Sequence, residues 1–256
     1  MCIVNFHFHN HSKYKLILVA NRDEFYERPT KPAHYWEDEP NILAGRDLRQ
    51  MGTWLGITKE GKFAAITNFR DPSLPVTGRY SRGEIIRNFL TNDIQPDLFI
   101  NGLIKERQSY GGYNVILGDS NGLYHYNNVL DESKDIKPGT HSLSNHSLDT
   151  PWPKVAKAKT RLNEYVQTNP LEVNINDLFN LVSDRSMAHD DELPHTGVGL
   201  EMERLLSPIF IKIPNYGTRS SSVLLIDKNN HVTFVERTFH EGEFQFDKRF
   251  EFAINR

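Results

Sequence analysis

The feature that most limits what this chain can fold into is a recurring unit of two apolar stretches around a cluster of turn residues. "TWLGITKEGKFAAITNF" turns at Lys59 to Gly61, "YNVILGDSNGLYHYN" at Asp119 to Gly122, and "SVLLIDKNNHVTFVER" at Asp227 to Asn230. Apolar and aromatic runs flanking Gly, Asn and Asp are the signature of antiparallel hairpins. The N-terminus follows the same rule. Residues 2 to 8 alternate, with Cys2, Val4, Phe6 and Phe8 on one strand face and Ile3, Asn5 and His7 on the other. "NHSK" then supplies a turn, and Lys15 to Ala20 an apolar strand ending in the polar run Asn21 to Glu24. That hairpin holds Cys2, the chain's only cysteine, beside the Asn21 to Glu24 run.

Helical periods lie between the hairpins. "SRGEIIRNFLTN" offers Ser81 as a cap with Glu84 three residues on, and "QPDLFINGLIKERQ" and "PWPKVAKAKTRLNEYVQ" carry Pro near their starts, while "INDLFNLVSD" is shorter. Antiparallel strands in blocks, with helices grouped between them, predict an α+β layered protein rather than a doubly wound βαβ fold. No low-complexity linker or composition shift divides the chain, so one domain over residues 1–256 is expected. The polar stretch from Ser183 to Pro208 reads as a loop or lid.

Composition excludes several classes. With 30 basic and 33 acidic side chains there is no overall field for nucleic acid. A single cysteine forms no internal disulfide, and no apolar stretch has the length of a signal peptide or membrane helix. A cytoplasmic protein without an integral membrane segment is the expectation, and a homo-oligomer stays open. His7 and His9 share a strand face at chelating spacing, but His11 falls in the turn and no third ligand follows, so the pair reads as exposed side chains and no metal is expected. Cys2 has two readings, a nucleophile or a small packed hydrophobe. Asn21 to Glu24 could equally be a salt-linked strand end, and "GRD" and "GTW" read as a tight turn and a core tryptophan.

Cys2 directly after Met1, "ANRDEFYERPT", "GRD", "GTWLGITKEGKFAAITNFRDP", "LSN" before "TPW", and "YGTRSSSVLLID" followed by "FVER" resemble the NRDE family, in the same order and from Cys2 to about Arg237. The resemblance implies the N-terminal-nucleophile hydrolase fold, a four-layer αββα sandwich of antiparallel sheets. The chain is more distantly similar to bile salt hydrolases and penicillin V acylases. They also begin Met-Cys, carry Arg and Asp at the end of the second strand, and place an Asn after a similar Gly-bounded hairpin. That likeness implies Cys2 as nucleophile, with Arg22 and Asp23 beside it and Asn68 and Asn145 as oxyanion-binding amides. Asn21, Glu24 and Arg219 are the candidate substrate-binding residues; the downstream Arg of those enzymes has no clear counterpart, and Arg219 is a candidate by its motif and not by alignment. Those enzymes separate Arg and Asp by two residues, whereas Asn21-Arg22-Asp23-Glu24 is contiguous, which leaves open which of the four faces Cys2.

The chemistry follows from the residues. Removal of Met1 would free the Cys2 α-amine, whose pKa of roughly 7.7 to 8.0 lets it take the thiol proton. Arg22 would favour the thiolate, a neutral Asn68 or Asn145 amide would donate to the oxyanion, and Asp23 or Glu24 would hold an ammonium group. The expected reaction is acyl transfer from a small amide or thioester to Cys2, followed by hydrolysis, with no cofactor required. The alternative reading, implied by the resemblance alone, is haem trafficking or acyl-coenzyme A and lipid handling in the same pocket, with haem as a ligand.

Overall fold

All four expected hairpins form. The computed structural model describes residues 2–74 and 78–255. The strands of the first half are β1 (Cys2–Phe8), β2 (Tyr14–Phe25), β3 (Thr30–Tyr35), β4 (Ile42–Asp47), β5 (Leu55–Thr58), β6 (Phe63–Asn68), β7 (Tyr113–Gly118) and β8 (Leu123–Asn127). The remainder are β9 (Glu132–Asp135), β10 (Gly139–Leu143), β11 (Lys212–Ile213), β12 (Tyr216–Asp227), β13 (His231–His240) and β14 (Glu243–Ala253). Helices α1 (Arg82–Thr91), α2 (Pro96–Lys105), α3 (Pro153–Thr168) and α4 (Ile175–Leu181) fall on the four helical periods, and α5 (Leu200–Leu205) lies in the polar stretch read as a loop.

The chain forms two compact units. The first comprises the residues up to Glu27, Lys137–Ser144 and Leu148–Phe252. Its sheet runs β10-β1-β2-β12-β13-β14, with β11 paired to β12. The second comprises Arg28–Ile136, Asn145–Ser147 and the residues from Ala253 on, and its sheet runs β3-β4-β5-β6-β7-β8-β9. Every pairing given for these sheets is antiparallel, as the short polar turns require.

Helices cover one face of each sheet. In the first unit Ala158, Leu162 and Val166 of α3 and Leu178 and Phe179 of α4 pack on Ile3, Ile17, Val19 and Val223, all buried. The α3 residues recur at helical spacing, and the strand residues at alternate positions, so each element buries one stripe. In the second unit α1 lies on β5 and β6. Its first turn is tied by the Glu84 carboxylate, which accepts from the Ser81 amide at 3.1 Å. No helix among the described residues is long and apolar enough to cross a membrane.

Three local expectations change. β2 runs on through Asn21–Phe25 instead of ending at Ala20, because β1 pairs with it as far as Arg22 and β12 as far as Phe25, which satisfies backbone groups along the run. "GRD" lies in β4: Arg46 grips Asp38 with two bonds of 2.6 and 2.8 Å and its guanidinium stacks 3.8 Å over Trp36, so the strand continues and the turn follows at Met51, φ 56°. Trp54 is buried, as "GTW" suggests. The Ser183 to Pro208 segment holds α5, whose buried Glu203 accepts from the Thr196 amide at 3.0 Å.

Candidate functional site

The register of three neighbouring strands builds the site. Cys2 stands opposite Arg22 across β1 and β2, and Ile3 opposite Asn21. Directly opposed residues of an antiparallel pair share a face, and neighbours along a strand alternate. Arg22 therefore lies on the Cys2 face, and Asn21 and Asp23 lie on the helix-covered face with Ile3. β12 extends the pattern: Ser220 opposes Arg22, Ser221 opposes Asn21, and Thr218 opposes Asp23, with the register shifting between Thr218 and Ser220. Arg219 is the extra residue of that bulge. Gly217 is required just before it, since a Cβ there would meet Tyr26 Oη at 2.4 Å and the Ile211 carbonyl oxygen at 2.5 Å.

On the first face Cys2 is buried, and burial pushes its thiol up. The Asp23 charge adds to that rise, while Arg22 and a hydrogen bond from the Asp23 backbone oppose it. The buried Arg22 places Nη2 3.8 Å from Glu24 Oε2, and its Nη1 has no hydrogen-bond partner among the described residues. Glu24 also accepts from the Phe25 amide at 2.9 Å. Arg219 donates from Nη1 to the Phe25 carbonyl at 2.8 Å. Burial, and then Arg22, hold the Arg219 guanidinium below its ordinary value, with Glu24 opposing. Arg22, Arg219 and Glu24 thus gather beside Cys2, while the Asp23 charge also reaches the thiol.

The opposite face is occupied by hydrogen bonds. Asp23 Oδ1 accepts from Thr218 Oγ1 at 2.7 Å, and its backbone carbonyl accepts from Tyr216 Oη at 3.1 Å. Burial pushes the Asp23 carboxyl up, while Lys154, Thr218 and Arg22 draw it back. Lys154, itself buried at the start of α3, donates to the Leu206 carbonyl at 3.2 Å. The Asn21 amide gives both hydrogens away, to the Val182 carbonyl at 2.8 Å and the Ile209 carbonyl at 2.9 Å, and its Oδ1 accepts from Ser221 Oγ at 2.6 Å. Asn21 thus ties the strand to the segments bearing Val182 and Ile209.

Asn68 and Asn145 belong to the second unit, where they meet each other: Asn145 Nδ2 donates to the Asn68 carbonyl at 2.9 Å, and its own carbonyl accepts from the Arg70 amide at 2.7 Å. The histidines do not form an exposed pair. His7 is buried, with Nδ1 2.7 Å from Thr140 Oγ1, because β10 covers that edge of β1. His9 leaves the strand at φ 54°, and His11 Nδ1 accepts from the Lys13 and Tyr14 amides at 3.0 and 3.2 Å. No group of three His, Cys, Asp or Glu that could hold a metal occurs among the described residues. Sequence reasoning missed Thr218, Tyr216 and Lys154. The motif "YGTRSSS" contains the first two, whereas nothing in "PWPK" marks a lysine as buried.

Solved structures place this architecture among N-terminal-nucleophile hydrolases. The C2A mutant of conjugated bile acid hydrolase from Clostridium perfringens has a TM-score of 0.56 at 8% identity, with 100% of this chain and 99% of that chain covered. The Caenorhabditis elegans N-acylethanolamine-hydrolyzing acid amidase ortholog has a TM-score of 0.51 at 9% identity, covering 88% and 92%. At these identities the likeness establishes the fold, which is that of the N-terminal-nucleophile hydrolases. In sequence, residues 1–241 match Transport and Golgi organisation 2. The human Transport and Golgi organization protein 2 homolog is 34% identical over 275 residues, 99% of each chain, and the Drosophila melanogaster protein 28% over 249 residues, covering 88% and 86%. The chain belongs to the Transport and Golgi organisation 2 family.

Proposed function

We propose that the chain is a cysteine hydrolase of small amides or thioesters, with Cys2 as nucleophile after Met1 is removed. The observation that carries this reading is the β1–β2 register, which sets the one cysteine directly opposite a buried arginine. In the reaction the freed α-amine takes the thiol proton, and the thiolate adds to the acyl carbon. The amine or thiol leaves with that proton, and water then cleaves the Cys2 thioester to release the acid. Arg22 lowers the energy of the thiolate, and the Glu24 carboxylate keeps its guanidinium in place. Asn21 acts as a positioning residue, since its amide hydrogens are already bound. The chemistry requires a reduced thiol, which agrees with a cytoplasmic location.

The test is intact mass of the protein from its own host, before and after an acyl thioester or acyl-coumarin amide, with Cys2→Ala as control. Loss of Met1 and Cys2-dependent acylation support the proposal; retained Met1 with an unreacted Cys2 overturns it. A second reading has its own support, because burial pushes the thiol up and so disfavours the thiolate. In that reading the protein carries haem or an acyl-coenzyme A without turnover. Saturable haem or acyl-coenzyme A binding that is unchanged in Cys2→Ala would favour it.

A further inference from the structure

The helix-covered face of the first unit's sheet holds a cavity of about 350 Å³ that the Cys2 chemistry does not use. Ser221 forms part of its lining. By register Ser221 faces the side opposite Cys2, so the sheet itself separates the two. Four aromatic rings wall the cavity: Phe179, Phe210, Phe239 and Phe244. Phe179 and Phe210 are buried, whereas Phe244 is 56% exposed and marks the open side. Phe210 and Phe239 stand edge to face, with centroids 4.9 Å apart and planes at 86°, which fixes both rings.

Two arginines line the same space, and they differ in what already holds them. Arg237 is bound to Asp247 through Nε and Nη2, both at 2.9 Å, and donates to Asn176 Oδ1 at 3.1 Å while lying 4.3 Å over Phe179. Its charge is neutralised in place. Arg185 donates only to the Gly242 carbonyl, at 2.7 Å, and lies 4.7 Å over Phe210. Among the described residues it has no carboxylate within ion-pair distance. A guanidinium with unused planar donors beside an aromatic cavity suits a carboxylate that carries a flat apolar body.

We propose that this cavity binds a small aromatic carboxylate of one or two fused rings, with the rings among the phenylalanines and the carboxylate on Arg185. The cavity is at the small end of ligand sites, which fits such a body. Fixed phenylalanine rings offer edges and faces that a flat ring meets in offset or T-shaped contact, and a flexible alkyl chain gains less from them while losing more rotational freedom.

Calorimetric titration of the full chain with 2-naphthoate tests this, with decanoate and 2-naphthalenemethanol as comparisons. Expected are one saturable site for 2-naphthoate, at least tenfold weaker binding in Arg185→Gln and in Phe244→Ala, and unchanged binding in Cys2→Ala. Both weakening substitutions fall on exposed side chains, so the fold is retained. Absence of saturation, or wild-type affinity in Arg185→Gln, overturns the site. Equal affinity for decanoate or for the uncharged alcohol overturns the ligand class. Loss of binding in Cys2→Ala overturns its separation from the Cys2 face.

Discussion

Replacing Asn21 with leucine, a side chain of similar size, should cost more than any exposed charge in this protein. The side chain is fully buried and makes three hydrogen bonds, two to backbone carbonyls and one from Ser221. At about 1 kcal/mol net for each, their loss is worth about 3 kcal/mol. Leucine also leaves the Val182 and Ile209 carbonyls and the Ser221 hydroxyl without this partner, which raises the total to about 3–5 kcal/mol. Ser221→Ala removes one bond and should cost about 1 kcal/mol. Urea unfolding followed by circular dichroism and tryptophan fluorescence measures both. In the double mutant the Ser221 change should add almost nothing to Asn21→Leu, giving a coupling of about 1 kcal/mol. A loss below about 1 kcal/mol for Asn21→Leu, or strict additivity, would refute the assignment of Asn21 as a tie between strand and segments.

The remaining predictions concern the same unit. Asp23 has its carboxyl raised by burial, so the folded protein binds its proton more tightly than the unfolded chain; that contribution to stability is present below the unfolded pKa of about 3.9 and is lost as pH rises through the folded value. Asp23→Asn should therefore raise the urea midpoint at pH 7, with a gain that shrinks toward acid pH, and a lowered midpoint at pH 7 would contradict it. Cys2 is the only thiol, so a thiol-disulfide reagent reads it alone: with Met1 retained, the raised thiol should react slowly at pH 7 in the folded protein and fast in urea. Leu162→Ala should destabilise by about 2–5 kcal/mol, since this fully buried side chain lies in the core where α3 packs on the sheet, and a smaller loss would mean that the core collapses around it.

How much of this was legible depends on whether local chemistry or pairing decides the outcome. Turns at Lys59 to Gly61, Asp119 to Gly122 and Asp227 to Asn230 are set by their own residues, and all three fall where the sequence places them. The end of β2 is set by its neighbours. Asn21 to Glu24 look like a strand end because polar residues are poor strand formers, yet β12 pairs with all four, and β1 with Asn21 and Arg22, which holds the run extended. The same holds for the faces of this run. Sequence leaves open which of four contiguous residues meets Cys2, and a single register, Cys2 opposite Arg22, answers it by alternation. Lys154 and the aromatic cavity stay invisible because burial of a lysine, and convergence of Phe179, Phe210, Phe239 and Phe244 from separate segments, arise only on folding.

The bulge in β12 makes a prediction that separates register from composition. Ser220 opposes Arg22 and Thr218 opposes Asp23, although Arg219 lies between them and Arg22 and Asp23 are adjacent. Deleting Arg219 would leave Thr218 next to Ser220, and a regular ladder would then keep both pairings and both faces. The loss includes the guanidinium's bond to the Phe25 carbonyl, worth about 1 kcal/mol. Deleting Val223 from the same strand is different. It is fully buried opposite Val19, and a one-residue slip there turns every side chain on one side of the gap to the wrong face. The Arg219 deletion should therefore fold, with a urea midpoint close to that of the parent, while the Val223 deletion should not. Equal damage from the two deletions would show that the bulged conformation itself, and not merely the pairing it preserves, is what the fold requires at this position.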